Sequence, residues 1–259
     1  MSDHDGFTIE RDADRGTATV TLDVAGKFNR VSMPARDELR AAFEELDRDD
    51  AIRFVVLTGA GGAFTAGGDI PGFLERSAWH VSRLADNVAA PERCTKPVVA
   101  ALRGYTFGVG LELALACDFR IAADDVQLGF PEVTIGMIPG SGGTQRLARL
   151  VGLGRAMELV TLGEAIDANE AWRIGLVNRV CAAEELMPTA LAICRRWQAK
   201  GPVSLMLARD AVLRSADADL ASGLDYENKL FALAIASGER DEGVKAFREK
   251  RPARFRMKG

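Results

Sequence analysis

Histidine is nearly missing from this chain: of 259 residues only His4 and His80 are histidines. A Ser-His or Cys-His catalytic arrangement would have to draw on His80, whose helical surroundings fit a solvated or packing residue better. The four cysteines, Cys94, Cys117, Cys181 and Cys194, are scattered, with no C-x-x-C and no histidine at zinc-ligand spacing. That argues against both a disulfide framework and a metal site. No apolar run approaches the ~20 residues that span a bilayer, and Met1 to Gly6 are polar, so a cytoplasmic protein without a membrane segment is expected. The chain also lacks a cationic surplus. Its net charge of −4 opposes nonspecific nucleic-acid binding, which needs clustered basic residues. The C-terminus departs from this, with seven Lys or Arg between Lys245 and Gly259 against one acid, Glu249.

What is present is an ordinary globular composition, 47% hydrophobic and 27% charged, which bounds the chain to one large core or a core with an appendage. Phe7 to Glu10 and Thr17 to Leu22 alternate with period two, and Pro34 to Arg48 reads as an amphipathic helix capped by Ser32. Buried strands are predicted at 54–59 and 97–102, with a helical stretch from about Val81 to Glu92 between them. Short strands follow at 119–122, 127–129 and 176–180. Beyond residue 183 the pattern is wholly helical, over 183–197, 202–215, 220–236 and 239–250. Strands first and helices last suggest a β-rich core followed by an α-helical C-terminal region.

Three glycine-marked segments carry the chemistry. Gly62-Ala63-Phe64-Thr65-Ala66-Gly67-Gly68-Asp69 leaves the strand 54–59, and Gly108-Val109-Gly110 leads into the apolar run 111–116. Turns of this kind expose backbone N–H groups, and the first turn of a helix favours negative charge. The amides of Thr65 and Val109 are therefore candidates for an oxyanion hole. Glu112 sits between Leu111 and Leu113 in an apolar helix, an expensive place for an unpaired carboxylate, and Glu132 follows Gly129-Phe130-Pro131. Two carboxylates in one semi-buried site push their pKa values apart, so one serves as acid and the other as base. The third segment, Ile138-Pro139-Gly140-Ser141-Gly142-Gly143-Thr144, lacks the lysine of a nucleoside triphosphate loop, and 108–110 lacks the third glycine of a dinucleotide fingerprint.

These motifs, with Lys96 to Ala100, Gly104-Tyr105, Cys117-Asp118, the run 136–147 and Ala168 to Val177, resemble the enoyl-CoA hydratase/isomerase family, the crotonase superfamily, over essentially the whole chain. The resemblance implies an α/β fold, a spiral of ββα units with an α-helical C-terminal region, and a coenzyme A thioester as substrate. The division it suggests is a core over 1–195 holding the thioester site and a helical trimerisation region over 196–259. Homotrimers that pair into hexamers are expected, with no metal or redox cofactor. In family terms the amides of Thr65 and Val109 hold the thioester oxygen, while Ala63, Phe64, Ala66, Gly67, Gly68, Asp69 and Gly140 line the substrate path. Lys27, Arg30 and the basic C-terminal run are candidates for the CoA phosphates.

Hydratases of the family resemble this chain in keeping both glutamates, here Glu112 and Glu132. The implied activity is syn addition of water to a trans-2-enoyl-CoA. A Δ3-Δ2 isomerase or a ring- or branched-acyl hydratase or lyase is the alternative, and an RNA-binding scaffold a more distant one. Val109 stands where glycine is common and adds bulk beside the thioester. The segment 70–92, with Phe73, Leu74, Trp79 and His80, is expected to shape the acyl pocket.

Overall fold

The computed structural model describes residues 2–4, 6–24, 26 and 28–255, the side chains of residues 2, 3, 73, 74 and 80 excepted. The expected contributions of Lys27, Arg256 and Lys258, and of the Phe73, Leu74 and His80 side chains, lie outside the described residues. The chain forms two compact units, one of residues 1–94 and 98–191, the other of 95–97 and 192–259.

The first unit is built on a seven-stranded sheet. A meander of β1 (Ser2–His4), β2 (Phe7–Asp12) and β3 (Thr17–Leu22) is antiparallel. Parallel strands β4 (Phe54–Gly59) and β5 (Val98–Leu102) continue from it. Strand β6 (Tyr105–Phe107) and helix α6 (Val109–Leu115) follow before the chain returns to the large sheet with β7 (Phe119–Ala123). Every residue of β5 is buried and β4 nearly so. Continuous apolar runs suit parallel strands covered on both faces. A second, three-stranded sheet has the order β6, β8 (Gln127–Gly129), β9 (Ile166–Asp167). Strands 5, 6 and helix 6, then strands 7, 8 and the helix α7 (Gly143–Val151), repeat one pattern: a strand in the large sheet, a strand in the small one, a helix. This is the expected spiral of ββα units.

Helix α1 (Met33–Arg48) starts where predicted. Ser32 Oγ accepts from the Ala35 amide at 3.1 Å and Pro34 occupies the first turn, where its missing N–H costs nothing. Leu39, Phe43 and Leu46 give it a buried face. The stretch expected as one helix from Val81 to Glu92 is instead broken. Two short helices, α4 (Leu84–Val88) and α5 (Ala90–Arg93), replace it after α2 (Ile70–Leu74) and α3 (Ala78–Val81), and Pro91, which cannot donate to the preceding turn, resets the last of them. Residues 176 and 177 are not strand either. Their amides both donate to Ala171 O, closing the end of α9 (Ala168–Arg173) around Gly175 at φ +79°. The strand is β10 (Arg179–Cys181), paired parallel to β7. Helix α8 (Leu153–Leu162) and the strands β1, β6 and β9 had no counterpart in the sequence reading.

The C-terminal helices are α10 (Leu186–Gln198), α11 (Pro202–Arg214), α12 (Leu220–Ala236) and α13 (Glu239–Arg248). In the second unit Asp219 caps α12 through Ser222, and Glu239 accepts from the amides of Val203 and Ser204, which begin α11. Leu220, Leu224, Phe231, Leu233 and Phe247 are all more than half exposed there.

Candidate active site

A cavity of about 630 Å³ in the first unit is lined by both glutamates. Helix α6 brings Glu112, the hairpin-like passage from β8 brings Glu132 on a single 3-10 turn (Pro131–Ile135), and Gly67 and Gly68 form part of a third wall. The approach of these segments is close. Gly108 has φ +53°, and a Cβ there would lie 2.9 Å from Glu132 Oε1 and 4.0 Å from the Gly67 Cα. Only glycine fits both demands.

The two carboxyls live in different surroundings. Glu112 is 2% exposed, and its Oε1 accepts the amides of Ser141 at 2.7 Å and Gly143 at 2.9 Å. The donors that the apolar helix makes necessary come from the N-terminus of α7, which opens at the third glycine segment. Unpaired amides and the helix dipole there hold a carboxylate as they would hold an anion. Glu132 has no such cradle. Its Oε2 is buried without a hydrogen-bond partner, and burial, with a smaller addition from the charge of Glu112, pushes its pKa from 4.5 up to about 7. One carboxyl is anchored through amide donors, and the other is held close to half-protonated at neutral pH.

Among the amides expected to hold an oxyanion, Val109 fits. It is the first residue of α6, and its N–H has no acceptor among the described residues. Thr65 does not fit. It is fully buried, its N–H donates to Tyr105 O at 2.9 Å, and its carbonyl accepts from Phe107. Pairing with β6 fixes the phase of this extended segment, and alternation turns the amides of its neighbours to the opposite edge. Ala66 donates to Phe28 O at 2.9 Å, which leaves Gly68, whose amide has no acceptor among the described residues and which lines the cavity.

Of the other residues expected on the substrate path, Ala66, Gly67, Gly68 and Gly140 line the cavity. Ala63 and Phe64 are core residues, 2% and 0% exposed, and Asp69 does not face the cavity. Ile70, Ala78, Val81 and Leu84, with Ser82 among them, supply one largely apolar wall from the 70–92 segment, whereas Trp79 is two-thirds exposed beneath the Arg83 guanidinium. Arg30 is exposed. In the C-terminal run Arg251 is tied to Glu242 and Glu249. Sequence reasoning missed Arg36 and Ser141, two buried residues of the cavity wall. It also missed the apolar side chains Ile135, Met137 and Ile138 opposite. Among the described residues no group of three or more His, Cys, Asp or Glu side chains is placed to hold a metal, and no helix is long and apolar enough to cross a membrane.

Comparison with known proteins places this geometry. Residues 12–258 match the family Enoyl-CoA hydratase/isomerase. A crotonyl-CoA hydratase of Syntrophomonas wolfei is 40% identical over 223 residues, 84% of this chain and 86% of its own. A short-chain-enoyl-CoA hydratase of Clostridium acetobutylicum is 37% identical over 90% of this chain and 92% of its own. The crystal structure of an enoyl-CoA hydratase from Bacillus anthracis superimposes with a TM-score of 0.91 at 35% identity, covering 98% of this chain and all of that one.

Proposed function

Because the chain belongs to the enoyl-CoA hydratase/isomerase family, we propose that this cavity takes the acyl group of a trans-2-enoyl-CoA and adds water across its double bond to give the 3-hydroxyacyl-CoA. The observation that carries the reading is the pair of glutamates in one cavity with opposite environments. Glu112, fixed through Oε1, turns its second oxygen to a water and takes a proton as the water oxygen bonds to Cβ. Glu132, its proton held near neutrality, delivers that proton to Cα. The proton gained by one carboxyl balances the proton lost by the other, and exchange with solvent restores both. Charge building on the thioester oxygen meets the Val109 amide, with Gly68 as second donor. Removal of one such donor typically costs ~10²–10³ in rate. No metal or redox cofactor enters these steps, and coenzyme A arrives with the substrate.

Several large apolar residues on α11 to α13 are exposed, and faces of that kind are commonly covered in an assembly. They support a homotrimer, or a pair of trimers, as the working form.

A panel of 2-enoyl-CoA thioesters, followed by loss of conjugated absorbance, tests the reading. Formation of 3-hydroxyacyl-CoA that drops by ~10²–10⁴ in Glu112→Gln and in Glu132→Gln supports it. Faster consumption of a 3-enoyl-CoA than of its 2-enoyl isomer would replace it with isomerase chemistry.

A further inference from the structure

Hydration by two glutamates leaves one cavity residue without a task. Arg36 on α1 is 3% exposed, yet it lines the same cavity as Glu112 and Glu132. A guanidinium taken out of water is costly unless an opposite charge compensates it. Burial pulls Arg36 down to about 10, and the nearby charge of Glu112, then that of Asp37, works against the burial. Arg36 Nη1 also donates to Ser141 Oγ at 3.4 Å, and Ser141 is the residue whose amide holds Glu112 Oε1. Helix α1 thus reaches Glu112 by charge and by way of the segment that cradles it. The upward displacement of Glu132 comes chiefly from its burial, with a smaller addition from Glu112.

We propose that Arg36 is a positioning residue: it sets a positive charge beside Glu112 in the cavity and steadies the Ser141 segment that holds the Glu112 carboxyl. The other charged or titratable groups on elements around Glu112 have different commitments. Asp86 on α4 is bonded to Arg93 at 2.7 Å, and Arg146 on α7 is ion-paired to Glu92 while its Nη1 donates to Ser141 O. Arg149 on the same helix donates to Gln145 O, Tyr105 on β6 packs its ring edge-on to Phe28, and Asp37 accepts from Asn87 at 2.6 Å. Among the described residues, that leaves Arg36 as the cation that lines the cavity with the two glutamates.

The kinetic side of this proposal rests on the hydration reading, so the test includes a readout that does not. Titration of protein carrying ¹³C-carboxyl glutamate, with Glu112→Gln and Glu132→Gln used for assignment, reads the lower and the upper midpoint of the two site carboxyls together. In Arg36→Met the lower midpoint rises by about one unit or more, whereas Arg36→Lys and Ser141→Ala leave it within about half a unit of wild type. The acidic limb of kcat/KM for the best 2-enoyl-CoA moves with it, and at neutral pH kcat falls while KM changes little. Arg36→Gln, which keeps a donor for Ser141, carries the same titration if the methionine variant folds poorly.

An unmoved lower midpoint in a folded Arg36 variant would overturn the proposal. So would a loss confined to thioesters with a carboxylate in the acyl tail, because Arg36 would then read the substrate. Wild-type protein inert toward every thioester, with the midpoint still displaced in Arg36→Met, would sink the hydration reading and leave the charge role standing.

Discussion

Replacing Glu132 by Gln should make the protein more stable and less active, and the balance should depend on pH. The carboxyl loses its proton near 4.5 in the unfolded chain and near 7 in the fold, chiefly because the fold buries it. The native state therefore binds this proton more tightly. The stability that Glu132 contributes is intact below about 4.5, declines as pH rises, and is lost above about 7. The whole interval corresponds to at most about 3.5 kcal/mol, and because Glu132 is only half-buried, screening by solvent reduces this to about 1–2 kcal/mol. Glutamine mimics the protonated side chain at every pH. The variant should match wild type near pH 4.5 and exceed it by about 1–2 kcal/mol at pH 8. Calorimetric unfolding of both proteins at fixed concentration across pH 4.5–8.5 measures the gap. In the same range the wild-type kcat/KM should fall about tenfold for each pH unit above about 7, as the acid form is depleted. Stability curves that stay parallel for the two proteins, together with a flat kcat/KM up to pH 8.5, would refute the argument that burial holds a proton on Glu132.

Four further outcomes follow from the geometry. A Cβ on Gly110 would meet Thr65 Cγ2 at 2.3 Å, so Gly110→Ala should lower both stability and kcat. Thr65→Ser removes that methyl while keeping the hydroxyl that accepts from the Gly67 amide at 3.0 Å, and the double variant should regain most of the loss. Glu112→Ala strands the amides of Ser141 and Gly143, at about 1–3 kcal/mol for a buried group left unsatisfied, and urea unfolding at pH 7 should show it. Asn29, buried at φ +55°, donates to Ala60 O and Ala63 O at 2.8 Å and accepts from the Val24 amide at 3.0 Å. Asn29→Ala should cost about 2–4 kcal/mol by the same unfolding measurement. Phe231→Asp, at a site 67% exposed on α12, should shift the sedimentation coefficient toward that of a monomer, and an unchanged coefficient would remove this face from the assembly.

The parts of the fold that could be read in the sequence are those whose signal is local. Strands β4 and β5 announce themselves as continuous apolar runs, and α1 by a capping serine, a proline in its first turn and a 3.6-residue apolar period. Glu112 stood out because an acid inside an apolar helix demands a partner. Its partner did not stand out. Ser141 and Gly143 are about thirty residues away, and only the packing of α7 beside α6 brings their amides to it. Arg36 was invisible for the opposite reason: an arginine on an amphipathic helix looks like part of a solvated face, and only the fold turns it inward. The oxyanion donor was misplaced onto Thr65 because an extended segment alternates its amides. The phase is set by pairing with β6, a strand of three residues whose own sequence barely signals it.

The third glycine segment shows how the site and the fold depend on each other. Glycines that open a helix commonly present amides to a phosphate, yet here that anion position is occupied by the protein's own Glu112, at 2.7 and 2.9 Å. A carboxylate placed there needs no bound ion to hold it, and it adds negative potential beside Glu132, one of the causes that raise that second carboxyl toward neutrality. The asymmetry between the two glutamates thus has two sources, burial of Glu132 first and the charge of Glu112 second. The start of α7 stabilises one negative charge in the cavity, with Arg36 close by, and the second carboxyl, buried with no donor for its Oε2, keeps its proton instead. Weakening the cradle should therefore relax the smaller of the two contributions to Glu132. A proline at Ser141 deletes one of the two amides on Glu112, and Ser141→Pro should lower the kcat/KM plateau while bringing the alkaline limb of the pH profile down from about 7. If that limb stays where it is, Glu132 is held up by burial alone and the coupling between the two carboxyls has no part in setting it.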